Sequence, residues 1–329
     1  GVKFAGQAVR QGAVAVIYEK VAESAELLKG LIGTNLIGVK ELSVVVGDIA
    51  ARFYNHPSRQ LDILGITGTN GKTSCSQFLS QVLEDCGVIG TLGWGDAEQL
   101  DECINTTPDA LSIQKMLEEF VKQRKKTAAL EVSSHGLDQG RVNGIEFTGA
   151  VVTNISRDHL DYHESMAAYV RAKIQLMGKP GLKFAVLNLD DDYCECFIDA
   201  VPQGVAIWGF TKDGRDSDKA EVITAEHVKQ TAEGIEFEAR WNDQRVEIKT
   251  PLFGEFNVEN VLSVFSTLIA MKIPVMKAAE KMSSLQPIAG RMERIISEGD
   301  APVVFVDYAH TPDALNKVLS GLRKHCGKR

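Results

Sequence analysis

The chain has 329 residues, 44% apolar and 24% charged, and its 36 Lys and Arg against 44 Asp and Glu give a formal net charge of −8. This is globular composition with material for about two domains, and it excludes disordered, collagenous and coiled-coil classes. No apolar run approaches the roughly 20 residues of a membrane-spanning helix, and the acidic balance opposes nucleic-acid binding by overall field while leaving room for a local anion site.

Taken in chain order, residues 7–10 read as a helix and 13–18 as the strand that follows. The pattern opens in mid-course at Gly1 rather than Met, with no charged-then-apolar segment, and stops just after a helix at 324–327. Both ends therefore read as cuts through larger domains. A short apolar run at 42–46 precedes a helix over about 47–54, which ends at His56-Pro57-Ser58. Residues 61–67 read as a buried strand entering a glycine-rich turn, with a helix over 74–86. Strands recur at 127–132, 149–153, 184–189 and 205–210, with helices at about 110–125 and 165–177. That alternation predicts βαβ units and a mostly parallel sheet covered on both faces. Segments 235–241 and 245–250 alternate about Asn242-Asp243, the pattern of an antiparallel hairpin. Helices at about 258–271 and 275–282 follow, then a strand at 302–306 and a helix at about 312–324. This last βα unit has no further strand to pair with and reads as the opening of another domain.

The fold class expected is α/β: a central P-loop-type, mostly parallel sheet flanked by helices, a small antiparallel subregion, and partial α/β domains at both ends. The boundaries expected are 1–60, 61–297 and 298–329. Six cysteines without a CxxC pair read as free thiols in a reducing compartment.

The strongest chemical signal is Gly68-Thr69-Asn70-Gly71-Lys72-Thr73 between strand and helix. Glycines let successive N–H groups face one anion, Lys72 reaches outer phosphates, and the Thr73 hydroxyl suits Mg²⁺. The spacing departs from GxxxxGK[ST], since Ile66 stands where the first glycine belongs, so a simple turn that starts a helix is the alternative. Glu131 ends a strand on the side where ligands gather in parallel sheets; it reads as a metal ligand or as a carboxylate turned to solvent. Ser133-Ser134-His135 lacks the GxSxG elbow of a serine hydrolase. Asp158-His159-Leu160-Asp161-Tyr162-His163 offers groups for a second cation, or equally a hydrogen-bonded loop. Lys173 reads as a solvated helix lysine and Arg291 as a surface charge. Asp307-Tyr308-Ala309-His310 sets polar groups at another strand end.

In order along the chain, these segments resemble the Mur ligase family, and within it the branch that adds the third residue of the peptide (MurE). The resemblance rests on Gly-Ile-Thr-Gly-Thr-Asn-Gly-Lys-Thr at 65–73, Asn-Thr-Thr-Pro at 105–108, Glu-Val-Ser-Ser-His-Gly-Leu-Asp-Gln-Gly-Arg at 131–141 and Thr-Asn-Ile-Ser-Arg-Asp-His-Leu-Asp-Tyr-His at 153–163. Gly-Glu-Phe-Asn-Val-Glu-Asn at 254–260, Gly-Arg-Met-Glu at 290–293 and Val-Asp-Tyr-Ala-His-Thr-Pro-Asp-Ala-Leu at 306–315 complete it. It implies an ATP-dependent amide ligase of peptidoglycan precursor synthesis, joining meso-diaminopimelate or L-lysine to UDP-N-acetylmuramoyl-L-alanyl-D-glutamate through an acyl phosphate. Folylpolyglutamate synthetase, MurF, or a P-loop nucleotide-binding module without ligase chemistry are the alternatives.

By position, the resemblance assigns Gly68, Thr69, Asn70, Gly71, Lys72 and Thr73 to the ATP phosphates, and Asn257 and Asn260 to the neighbourhood of adenine. Arg291 falls to the γ-phosphate and Asp307 to the ribose or hinge. Thr73 and Glu131 would hold one Mg²⁺ and His159 a second, joined by Lys173 as a carbamate. Thr106, Thr107, Ser133, Gln139 and Arg141 match positions that hold the UDP-muramoyl dipeptide. The implied catalytic set is Lys72, Glu131, His159, Lys173 and Arg291. The further implications are a cytoplasmic bacterial monomer that takes the muramoyl nucleotide and an amino acid, with no nucleic acid and no membrane insertion, and a 329-residue piece that is inactive alone.

Overall fold

In the computed structural model, which describes residues 2–31, 33–231, 233–295 and 303–325, the chain begins with α1 (Ala5–Arg10), β1 (Ala15–Glu19), α2 (Ala22–Leu28), β2 (Asn35–Val39) and α3 (Leu42–Phe53). β1 and β2 pair in parallel as a small sheet of their own. α3 starts earlier than expected and absorbs the apolar run at 42–46. The Glu19 carboxylate, at the end of β1, accepts the Glu41 and Leu42 N–H groups (2.8 and 2.6 Å). A helix start fixed by another element leaves no local mark in the sequence.

The central layer runs β3 (Asp62–Thr67), α4 (Lys72–Val82), β4 (Cys86–Gly90), β5 (Gly93–Asp96), β6 (Gln99–Asp101), α5 (Ala110–Lys122), β7 (Thr127–Glu131), α6 (Ser134–Asp138) and β8 (Gly149–Val152). It continues through α7 (Leu160–His163), α8 (Met166–Ile174), β9 (Phe184–Asn188), α9 (Cys194–Ile198), β10 (Ala206–Thr211), β11 (Glu221–Gln230), β12 (Ile235–Trp241), β13 (Gln244–Thr250), α10 (Phe256–Ala270) and α11 (Val275–Ser283). β14 (Glu293–Ile295), β15 (Val304–Val306) and α12 (Pro312–His325) follow. The strand order is β13-β12-β11-β10-β9-β8-β3-β7-β4-β5-β6. The stretch from β11 to β4 is parallel, and antiparallel strands extend it at either edge.

The pleat explains the continuous apolar run at 61–67. Leu64 and Ile66 pack on one face with Phe78 and Leu79 of α4 and Val261 and Phe265 of α10. Ile63 packs on the other with Ile113, Leu117 and Phe120 of α5 and with Tyr169 of α8. A strand buried on both faces cannot alternate polar and apolar residues.

The β12–β13 hairpin turns at Asn242-Asp243, with Asn242 at φ 51°, a left-handed position that asparagine tolerates. The helix expected over 74–86 is corrected: α4 stops at Val82 and Cys86 opens β4, paired with Thr127. β5, β6, β11, α6 and α9 were not foreseen, being short or polar. β15 is also not unpaired, since it lies antiparallel to β14. Position 302, the boundary at 297–298 and Cys326 lie outside the described residues, and the five described cysteines are free. No described helix is long and apolar enough to cross a membrane.

Candidate active site

The candidate site lies beyond the carboxyl ends of β3, β7 and β8, in a cleft of about 260 Å³. The loop after β3 carries Gly68 at φ 147° and Gly71 at φ 85°. Both glycines are also required by contact, because a Cβ at Gly68 would strike Thr153 Oγ1 and one at Gly71 would strike Asn260 Oδ1. The segment after β8 clamps the loop: Thr69 N donates to Asn154 O (2.7 Å), Asn70 N to Asn154 Oδ1 (3.1 Å), and Thr153 Oγ1 to Asn70 O (2.6 Å). The N–H groups of Lys72, Thr73 and Ser74 head α4 without intrahelical partners, which makes an anion cradle. Lys72 Nζ donates to Gly68 O and Thr69 O (both 2.9 Å). Burial pushes Lys72 below its ordinary range, opposed by the charges of Glu131 and Asp158.

Glu131 is 0% exposed, so it does not face solvent. Its carboxylate accepts from Thr91 N (2.9 Å), Thr91 Oγ1 (3.0 Å), Thr73 Oγ1 (3.0 Å) and Ser76 Oγ (3.4 Å). Burial raises its pKa, and these donors with the charge of Lys72 pull it back. Beside the carboxylate, the hydroxyls of Thr73, Thr91 and Ser76 supply hard oxygens of the kind that suit Mg²⁺. Thr91 was missed by the sequence reading because its stretch was assigned no element beyond the misplaced end of the helix before it.

Lys173 is not a surface lysine. It is 1% exposed, and its Nζ donates to Gly68 O (2.7 Å) and Thr67 Oγ1 (3.5 Å) and lies 4.7 Å from the Tyr169 ring centroid. Burial, then the nearby charge of Lys72, holds its pKa well below the usual lysine range. Of the 158–163 cluster, Asp158 and His159 line the cleft, while Asp161, Tyr162 and His163 do not. His159 Nε2 is 3.4 Å from Asp158 Oδ2, and burial lowers its pKa against the pull of Asp158. His135 contacts the His159 ring (centroids 4.8 Å) and not a serine, and Ser133 Oγ caps α6 by accepting from Gly136 N (3.0 Å). No hydrolytic triad forms there.

Arg291 is no free surface charge either. Its Nη2 donates to Thr73 Oγ1 (3.3 Å), its guanidinium lies 4.6 Å from the Tyr308 ring centroid, and burial lowers its pKa. Asp307 lines the same cleft and is fixed by N–H groups of Met292 and Ala309 (2.8 Å each). Asn260 lines the cleft, but Asn257 does not. Asn257 Nδ2 donates to Phe253 O (2.7 Å), and its Oδ1 accepts from Asn260 Nδ2 (2.8 Å), so it holds Asn260 from behind.

Of the five expected substrate positions, only Thr106 lines the cleft, with its hydroxyl 3.0 Å from that of Thr91. The other four form a chain running away from it. Thr107 Oγ1 donates to Glu131 O (2.8 Å) and accepts from Ser133 N (2.9 Å). Arg141 Nη1 donates to Thr107 O (2.8 Å) and its Nε to Gln139 Oε1 (2.9 Å). Asn154, Phe256, Glu259 and Lys317 also line the cleft; no motif signalled the last three as a group, because they converge from α10 and α12.

A strand–loop–helix phosphate cradle backed by a buried carboxylate, on a large mostly parallel sheet, defines an α/β protein of P-loop type. The family profile described as Mur ligase middle domain matches residues 66–268. The UDP-N-acetylmuramoyl-L-alanyl-D-glutamate–2,6-diaminopimelate ligase of Coxiella burnetii is 44% identical over 300 residues, covering 89% of this chain and 61% of that protein. The ligase of the same name from Pseudomonas aeruginosa is 43% identical over 337 residues, 98% of this chain and 65% of the relative. A solved ligase of that name superposes with a TM-score of 0.81 at 33% identity, over 98% of this chain and 65% of its own. MurF of Acinetobacter baumannii (TM-score 0.70, 17% identity, 96% of this chain and 70% of that one) shares the fold. The chain belongs to the Mur ligase family, and it spans just under two thirds of the length of these curated relatives.

Proposed function

We propose that this chain supplies the ATP-binding centre of an acid–amino-acid ligase that joins 2,6-diaminopimelate to UDP-N-acetylmuramoyl-L-alanyl-D-glutamate. The names of the relatives favour diaminopimelate over lysine. The observation that carries the reading is the convergence of Lys72, Arg291, buried Glu131 and buried Lys173 on one phosphate loop.

In this reaction a substrate carboxylate oxygen attacks the γ-phosphorus and ADP leaves, giving an acyl phosphate. The amine of the amino acid then attacks the acyl carbon, phosphate leaves, and the nitrogen loses a proton. No protein nucleophile is needed; the site must instead gather anions, which requires cations and aligned N–H donors. Lys72 and the α4 N–H groups serve the outer phosphates, Arg291 the γ-phosphate, Asp307 the ribose or hinge, and Asn260 the adenine side with Asn257 holding it. Glu131 with Thr73 fits one Mg²⁺, and His159 fits a second; the metal supplies charge neutralisation of the phosphates when bound. Thr106, Thr107, Ser133, Gln139 and Arg141 form the wall for the muramoyl dipeptide.

Lys173 fits a carbamate. Carbon dioxide adds only to an unprotonated amine, whose nitrogen bonds the carbon and releases a proton, and burial beside Lys72 favours that neutral form. The product is a carboxylate-like group able to hold a cation. The proposed domain limits remain 1–60, 61–297 and 298–329, the first and last being parts of flanking units, and the enzyme acts as a cytoplasmic monomer.

The experiment is titration of the chain with a non-hydrolysable ATP analogue, with and without Mg²⁺, followed by calorimetry. Mg²⁺-dependent binding that is lost in Lys72→Ala is expected. Binding of equal strength in that variant would overturn the reading.

A further inference from the structure

The β8–β9 ladder ends at Val152 opposite Leu187. Past that pair the chain leaves the sheet as Thr153-Asn154-Ile155, and two side chains from the turn after β9 take up its backbone groups. Asn188 Nδ2 donates to Thr153 O (2.8 Å), and Asp191 Oδ2 accepts from Ile155 N. The residues on either side of Asn154 are thus each held from the β9 turn.

Asn and Asp at a strand end ordinarily close their own turn, and one atom of each does so here. Asn188 Oδ1 accepts from Asp190 N (3.0 Å) and Asp191 Oδ1 from Tyr193 N (2.9 Å). The second atom of each reaches out of the turn, to the end of β8. Asn188 is 4% exposed, and neither it nor Asp191 lines the cleft. Asn154, between the two held residues, does line it. Its backbone O accepts from Thr69 N (2.7 Å), its Oδ1 from Asn70 N (3.1 Å), and its Nδ2 donates to Asn70 O (3.1 Å). Asn188 and Asp191 therefore fix residues 153 and 155, these fix Asn154, and Asn154 fixes the loop that leads into the N–H groups of α4.

We propose that Asn188 and Asp191 are positioning residues for nucleotide binding, acting through Asn154 and touching no ligand themselves. This rests on the cleft being a nucleotide site and deepens that reading. A loosely clamped loop samples several arrangements, and apparent affinity falls with the fraction of molecules in the binding one. The two outward bonds keep that fraction near one.

The test measures Mg·ATP-analogue binding to the 329-residue chain by calorimetry, and amide hydrogen exchange of the same chain without ligand. Asp191→Ala removes the bond to Ile155, whereas Asn188→Asp keeps the acceptor for Asp190 N and loses the donor to Thr153. Each should weaken binding by about tenfold, the loss expected when roughly one molecule in ten stays competent. Each should speed exchange of the Thr69 and Asn70 amides while those of β3 stay protected, and saturating analogue should restore the protection. Asp190→Ala is the control from the same turn. Its carboxylate accepts from Thr211 Oγ1 (2.6 Å) and Lys212 N (2.8 Å) on the β10 side, so its loss should lower the melting temperature and leave affinity unchanged. A turn with a merely structural role would move the melting temperature alone in all three. Asn188 is buried, so Asp191→Ala decides alone where Asn188→Asp does not fold. Unchanged affinity and exchange in the folded variants, or an equal loss of affinity in Asp190→Ala, would overturn the proposal alone, provided that the natural chain binds. No binding by the natural chain would overturn it together with the nucleotide reading.

Discussion

The two walls of the cleft are built differently. The wall formed by β3, α4, β7 and α8 holds Glu131 and Lys173 deep in the protein and Lys72 half-buried at the cleft, each fixed by two or more hydrogen bonds from the chain. The facing wall, formed by β14, β15 and α12, carries Arg291, Asp307 and Tyr308 on a two-stranded sheet whose residues Val304 and Val306 are themselves exposed. Its own small core joins Phe253, Met292 and Val318. Charge buried in the first wall is set in place before any ligand arrives, so that removing it should act on binding in large steps. Charge on the second wall rests on few contacts, and its loss should act in small ones.

The largest effect is expected from Lys72→Ala. Loss of charge-assisted bonds to phosphate should weaken analogue binding by about 10- to 100-fold, and calorimetry checks it. Glu131→Gln should separate stability from function. Mg²⁺-dependent binding is expected to vanish, while the ligand-free chain gains roughly 1 kcal/mol in denaturant unfolding, because a buried carboxylate is replaced by a neutral group that the same hydroxyls can bond. The sign follows from the raised pKa. Below the unfolded value of about 4.3 the folded and unfolded states both hold the proton and the gain is absent. Above it, stability of the natural chain falls as pH rises through the folded value, so the advantage of Gln grows with pH. A variant no more stable than the parent at neutral pH would contradict this.

Lys173 runs the opposite way. Its folded pKa lies below the ordinary lysine value of about 10.4, so between the two the unfolded state binds more protons and stability rises with pH. Lys173→Met should remove that rise. Bicarbonate should raise the melting temperature of the natural chain and not that of the variant, with a carbamate carbon visible by ¹³C NMR in the former alone. No such signal in the natural chain would sink the carbamate.

What the sequence made legible follows the same division. The phosphate loop and Glu131 are local in sequence, because a strand end, a turn and a helix start are one contiguous segment. The β12–β13 hairpin is legible for the same reason, since its turn and alternation lie within 16 residues. From residue type and spacing alone, without the family resemblance that placed both in the site, Lys173 and Arg291 are not: a helix lysine and a lone arginine acquire their surroundings only when α8 and β14 fold against the loop. Thr91 and the supporting role of Asn257 are invisible for a related reason. The first bonds a carboxylate 40 positions away, and the second supports its neighbour rather than a ligand. The early start of α3, capped by Glu19 from β1, shows the same limit for secondary structure.

Arg291→Ala should weaken analogue binding by about tenfold, a loss of one charged contact from a half-exposed wall. The smallest effect belongs to Tyr308, which is 57% exposed at the edge of the cleft and has the Arg291 guanidinium 4.6 Å from its ring centroid. A cation–π contact at an exposed position is worth about 0.5–1 kcal/mol, so Tyr308→Leu should weaken binding only about two- to fivefold. Tyr308→Phe, which keeps the ring, should match the natural chain. In the Arg291→Ala background, Tyr308→Leu should change nothing further, because the aromatic face then has no cation to hold. A loss as large as that of Lys72→Ala, or one that persists without Arg291, would mean that Tyr308 contacts the nucleotide itself and that the second wall closes more tightly than its few bonds imply.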